Sequence, residues 1–274
     1  MGESTQYFVL MDESLAIELG AEIYGAVSDV FVNADGFKKS ISSPGAGNYI
    51  TLAKAVAAGK AILGEEAVRN RSMIQAHGSS TPQNRVTESI IFDKVAKAFD
   101  IENWPVASVK AFVGHPLGPA SGDQLANSLG VFADGIMPGI KTADKAASDV
   151  VDEKLDILFK DKKAEIDVVF LNSKGFGGNN ATATVIAPKI VEKMLAKRYS
   201  SDEMAAYHIK REEVRAVAKS YDDLALQGDL SVIYNFGKGI INQEELTITD
   251  QELSIAEFNR SINLDLKNPY QDMV

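Results

Sequence analysis

No cysteine occurs among the 274 residues, and histidine occurs only three times. Without cysteine the chain can form no disulfide, no thiolate metal site and no cysteine nucleophile of its own, a usage that fits the cytoplasm. No apolar run reaches the ~20 residues of a membrane helix, and the opening MGESTQYFVLMDES lacks the basic start and long apolar stretch of a signal peptide. Long Lys/Arg runs are missing too. Net charge is −10, and the basic clusters are small, Lys38-Lys39 and Arg69-Asn70-Arg71, so neither nucleic acid nor membrane is expected as a partner. No GxSxG serine elbow, HExxH zinc helix, Walker sequence or GxGxxG turn is found. With 45% hydrophobic and 24% charged residues, the chain has the composition of an ordinary globular protein with a full core, one large domain or two modest ones.

What is present alternates. Residues 5–11, TQYFVLM, read as a buried strand, and DESLAIELGAE as a helix with acidic residues in its first turn. IYGAVSDVFVNADG returns as a strand. SSPGAGN is a loop whose Asn48 is placed to cap the helix YITLAKAVAAGKAILGEE. Strand SMIQAHG, loop SSTPQ and helix NRVTESIIFDKVAKAFD follow, then strand VASVKAFVG, loop HPLGPASG and helix DQLANSLGVFADGI. An acidic, Ala- and Lys-rich stretch crosses 141–165, before strands IDVVFLNS and ATATVIA around the loop KGFGGNN. Such alternation predicts an α/β layered fold on a largely parallel sheet. In these sheets ligand chemistry gathers at the carboxyl ends of strands, where loops 77–83, 115–122 and 174–180 all fall. After Pro188 the character changes to two helices, the second with a capping box from Ser200 and Glu203. Short β-like segments, LSVIYNF and LTIT, follow. Residues 1–188 are therefore expected as one body and 189–274 as an extension packed on it.

Two histidines stand at predicted strand ends before turn-rich loops: His77 in AHGSSTP and His115 in GHPLGPASG. A lone histidine beside a core is more often a structural hydrogen-bonding residue, but two such loops at one sheet edge favour a shared site. His208, in YHIKREE, reads as a surface or interface residue. Two histidines without a third ligand make a poor zinc site, so no metal is expected. Lys110 lies five residues before His115, on the predicted strand, and Glu88 lies eleven after His77, on the next helix. A lysine within an apolar pattern needs a partner, because a buried unpaired charge is costly. Glu88 is the candidate; the plainer alternative is that both are solvated. KGFGGNN reads as a glycine-rich hairpin, or as a loop whose backbone approaches a substrate with Phe176 as a gate.

Taken together the three loops resemble the β-ketoacyl-acyl carrier protein synthases of the thiolase superfamily, which carry A-H-G-T-x-T-P, K-x-x-x-G-H and G-F-G-G-x-N segments in this order. Here they read Ala76-His77-Gly78-Ser79-Ser80-Thr81-Pro82, Lys110 through Gly114-His115, and Gly175-Phe176-Gly177-Gly178-Asn179-Asn180. The resemblance covers roughly residues 4–188 and implies the family's C-terminal half: a βαβαβαββ mixed sheet covered by helices, here with an α+β C-terminal extension. It also implies that the nucleophilic cysteine sits on a missing N-terminal half. Met1-Gly2, just before the matched strand, points to a cut or engineered start, and a natural subunit of a split enzyme is the other option. GHPLGPASG is closer to the thiolase form of that loop, but a thiolase's second cysteine is absent and AHGSSTP belongs to synthases.

The resemblance implies decarboxylative Claisen condensation of a malonyl thioester with an acyl primer in fatty-acid synthesis. His77 and His115 would hydrogen-bond the enolate, while Lys110 with Glu88 would set the local charge. Ser79, which replaces the usual Thr, and Thr81 would hold the pantetheine arm. The Phe176 amide, within the loop Gly175, Phe176, Gly177, would share the oxyanion hole. No cofactor is implied beyond the phosphopantetheine carried by substrate. The implied partners are acyl carrier protein or CoA thioesters and the cysteine-bearing half, in a full enzyme that is a homodimer. The extension resembles that of longer, atypical bacterial synthases. Competing expectations are a non-catalytic synthase partner, a thiolase-type acyl-CoA enzyme and an unrelated acyl-CoA or carrier-binding module.

Overall fold

A computed structural model describes every residue except 37–44, 230–232, 242, 257, 259–260 and 274. Lys38-Lys39, the first part of the SSPGAGN loop and the start of LSVIYNF lie outside the described residues. The chain divides into two compact units, Met1–Val217 and Ala218–Val274.

In the first unit α1 (Glu13–Leu19) leads to β1 (Ala26–Ala34), α2 (Ala46–Leu63) and α3 (Glu65–Asn70). Then come β2 (Ser72–Gln75), α4 (Pro82–Ala98), β3 (Trp104–Ala107), the single turn α5 (Lys110–Val113) and α6 (Ala120–Asp134). Short β4 (Ile136–Met137), β5 (Leu155–Ile157) and β6 (Lys162–Lys163) precede β7 (Val168–Gly175), β8 (Asn179–Ile186) and α7 (Pro188–Arg198). Helix α8 (Ser201–Leu226) starts in this unit; Ser200 and Glu203 form its capping box, the Ser200 N–H donating to the Glu203 carboxylate at 2.8 Å.

The main sheet runs β1-β8-β7-β2-β3-β5. Its centre is parallel: β2 with β3, β2 with β7, and β3 with β5. β8 is antiparallel to both β7 and β1, because the β7–β8 connection is too short for a crossover. The sheet is thus mixed rather than largely parallel. Its central strands are buried on both faces, as crossover helices require. On one face Val168 and Phe170 of β7 pack with Leu52 of α2, Phe92 and Val95 of α4 and Trp104. On the other, Val169 and Leu171 pack with Val131 of α6, Met73 and Met137. Trp104 is fully buried, donates Nε1–H to Ser72 Oγ at 2.9 Å and meets Phe170 edge-on at 5.9 Å. A third cluster joins Ile186, Val191, Leu195, Met204 and Tyr207, placing α7 and the start of α8 in this first unit. No helix among the described residues is long and apolar enough to cross a membrane.

Three further expectations for the first unit are corrected. Residues 5–11 form no strand, and Tyr7 and Val9 are 92% and 83% exposed. An apolar run becomes a strand only where its backbone finds a ladder, and neither sheet edge pairs with it; the Ser4 and Gln6 side chains instead bond Asp123 of α6. Asn48 does not cap α2. The helix starts at Ala46 after Gly45, and Asn48 is buried within it, accepting from Asn172 at 2.6 Å. The strand expected through Gly114 ends at Ala107, where its ladders run out, and Lys110 lies on α5. Short apolar runs do not separate a strand from a buried helical turn.

In the second unit β9 (Leu246–Ile248), β10 (Glu252–Ile255) and β11 (Ile262–Asn263) form a three-stranded antiparallel sheet. β9 is the LTIT segment. The described part of LSVIYNF, from Ile233, forms no strand.

Candidate active site

Strands β2 and β7 and the turn after β3 present their carboxyl ends together. At the end of β2, Ala76 donates its N–H to Ala107 at 2.9 Å, and His77 follows. The chain then turns through Gly78 and Ser80, both left-handed at φ +56° and +57°. A side chain at Gly78 would strike Ser108 as well as being strained. Thr81 and Pro82 start α4, the Thr81 hydroxyl accepting the Asn84 N–H at 3.4 Å.

Nearly two turns into α4, Glu88 is buried and reaches back to this loop. Its two oxygens accept the N–H groups of His77 at 2.8 Å and Gly78 at 2.9 Å, and the Asn84 amide at 2.5 Å. Burial pushes the Glu88 carboxyl up, against the pull of the Gly78 N–H, Lys174, Asn84 and Lys110. Lys110 donates Nζ to the His77 carbonyl at 2.5 Å. Its link to Glu88 therefore runs through the His77 peptide, with Glu88 on the N–H side and Lys110 on the C=O side. Burial also lowers the Lys110 ammonium, opposed by Glu88 and Asp123.

The rings of His77 and His115 meet edge-on, 5.1 Å apart. Each Nδ1 accepts a backbone N–H: His77 from Lys174 at 3.3 Å, His115 from Leu117 at 3.2 Å. A peptide N–H can only donate, so in both neutral rings the hydrogen sits on Nε2. Burial, then Lys110, His115 and Lys174, bring His77 down to about 3. Burial and then Lys110 lower His115. Two uncharged Nε2–H donors at one sheet edge can stabilise an oxyanion but cannot supply a proton readily near neutrality.

Phe176 is 70% exposed on the β7–β8 turn, which Gly177 and Gly178 close at φ +79° and +82°. Ser79 is half-buried and Thr81 exposed. His208 lies away from these groups, its Nε2 2.8 Å from Glu192. Among the described residues no group of three His, Cys, Asp or Glu is placed to share a metal ion.

Residues 24–143 match the family described as "Beta-ketoacyl synthase, C-terminal domain". The whole chain is 53% identical, over 276 residues, to the β-ketoacyl-[acyl-carrier-protein] synthase FabY of Pseudomonas aeruginosa, covering 44% of that protein. The crystal structure of that ketosynthase superposes with a TM-score of 0.90 over 96% of this chain and 42% of its own. This chain carries a β-ketoacyl synthase C-terminal domain. A 3-oxoacyl-[acyl-carrier-protein] synthase 2 of Synechocystis sp. is 32% identical over 66% of the chain and 42% of its own length. The chain thus spans less than half the length of these relatives.

Within the synthase domain several residues escaped the sequence reading. Gln124 of α6, fully buried, directs Nε2 at the carbonyls of Gln75 (3.1 Å), Ala76 (2.7 Å) and Asn172 (2.9 Å), filling the gap where β2 and β7 part. Asn172 bonds both Asn48 and Thr182. Lys174 is 9% exposed beside His77. The available signal was period two along β7: in Val168-Phe170-Asn172-Lys174 the core-facing positions turn polar toward the carboxyl end.

Proposed function

We propose that this chain supplies the histidine half of a β-ketoacyl-acyl carrier protein synthase site, completed by a cysteine-bearing half. The observation that carries the reading is the pair of edge-on imidazoles, both presenting Nε2–H. The cysteine thiolate first takes an acyl group from a thioester, whose own sulfur leaves as thiolate. A malonyl thioester then binds with its thioester oxygen toward the two Nε2–H donors. Its carboxylate leaves as carbon dioxide, and the electron pair of the broken C–C bond becomes an enolate. The donors stabilise that oxygen anion as it forms. The enolate carbon attacks the acyl carbonyl, a new C–C bond forms, and the cysteine leaves as thiolate. The Phe176 N–H shares the oxyanion site for this second step, and its exposed ring gates entry. Ser79 and Thr81 hydroxyls contact the pantetheine arm. The donor is carried by acyl carrier protein or coenzyme A, in a cytoplasmic homodimer of the full enzyme that needs no cofactor beyond that arm.

The test combines this chain with the cysteine-bearing half and follows malonyl decarboxylation and condensation. Both reactions are expected, and both should fall sharply in His77→Ala and His115→Ala. No reaction, or indifference to both substitutions, would overturn the reading.

A further inference from the structure

Lys174 stands one residue from the end of β7, beyond the buried run Val168–Asn172. Along β7, Val168 and Phe170 point into the cluster that holds Phe92 and Val95 of α4, and Asn172 bonds Asn48 of α2. Val169 and Leu171 point to the opposite face. Alternation therefore puts the Lys174 side chain on the α4 face, the face from which Glu88 reaches the His77 loop. Its main chain meanwhile donates to His77 Nδ1. Lys110, expected from sequence as the partner of Glu88, is bonded to the His77 carbonyl.

We propose that Lys174 is a positioning residue: its N–H orients the His77 imidazole, and its buried side chain holds Glu88 as the carboxylate that clasps the His77–Gly78 turn. Lys174 and Lys110 both draw Glu88 toward its charged form. The titratable groups around the pair are Lys110 from α5, His77 and His115 from their loops, and Asp123 from α6, which acts on Lys110. Removing the ammonium leaves burial less opposed, so Glu88 takes up a proton at higher pH and releases the turn. In its effect on catalysis this inference rests on the function proposed above.

The experiment is a pH–rate profile of condensation by the whole synthase, this chain with its cysteine-bearing half. Lys174→Met should move the acid limb up by about one pH unit or more. Lys174→Arg should restore it, and in a Glu88→Gln background Lys174→Met should no longer move it. An unmoved limb, or a uniform fall at every pH that arginine does not rescue, overturns the proposal. A second readout needs no activity. In thermal unfolding of this chain, the Lys174→Met deficit should widen as pH rises and the uncompensated carboxylate ionises; a deficit that is constant with pH overturns it. A wild-type synthase that fails to condense would sink the proposed function and leave this second readout standing.

Discussion

His77 and His115 stand 5.1 Å apart and present the same edge, yet they are held by different means. His77 is 9% exposed, and its peptide is gripped from both sides, the N–H by Glu88 and the C=O by Lys110. His115 is half-buried, and its neighbours Phe112 and Leu117 are about half exposed. Its ring rests on the Leu117 N–H, and its carbonyl on the Gly2 N–H at 3.1 Å. The first histidine is built into the sheet; the second is laid on its edge. One donor is therefore fixed by this chain's core, while the other sits where an approaching surface can adjust it.

The sharpest way to break this contrast is to remove each ring in the combined synthase. His77→Ala should lower malonyl decarboxylation by about 10²–10⁴-fold, and His115→Ala by less; the reverse order, read from kcat/KM, would dissolve the distinction. Next is Glu88→Ala, expected to cost about 3–5 kcal/mol in urea unfolding, since it leaves the N–H groups of His77 and Gly78 and the Asn84 amide without their acceptor. Alanine at His115 or Leu117 should not approach that cost. A third test is titration. The His77 ring is held at about 3 against an ordinary 6.5. Unfolded chains take up a proton on this residue as pH falls through 6.5, whereas the native ring does not until about 3. Stability from His77 is thus present above pH 6.5 and lost between 6.5 and about 3. His77→Asn should flatten that part of the unfolding-temperature profile, with a smaller change for His115→Asn. The smallest effect is Thr81→Ala, expected to cost about 1 kcal/mol through loss of the α4 cap, measurable in the same unfolding assay.

The sequence was informative where spacing alone determines geometry. AHGSSTP before a helix, and Glu88 two turns into that helix, suffice to bring carboxylate and loop together. It misled where apolar character was the only guide. TQYFVLM looks like a strand, but a strand is defined by its neighbour and none is there. VASVKAFVG looked continuous, yet the ladder ends at Ala107 and the rest winds into a turn. Lys174 and Gln124 were hidden for another reason. Each acts through the direction of one side chain across the sheet, and that direction depends on where β7 and β2 diverge.

Both imidazoles take their tautomer from a main-chain N–H, of Lys174 and of Leu117. Every residue except proline carries that donor. A change of side chain at position 117 or 174 therefore leaves the donor that sets each tautomer in place. The polarity of the pair is inherited with the backbone trace, and among single substitutions at those two positions only proline would erase it.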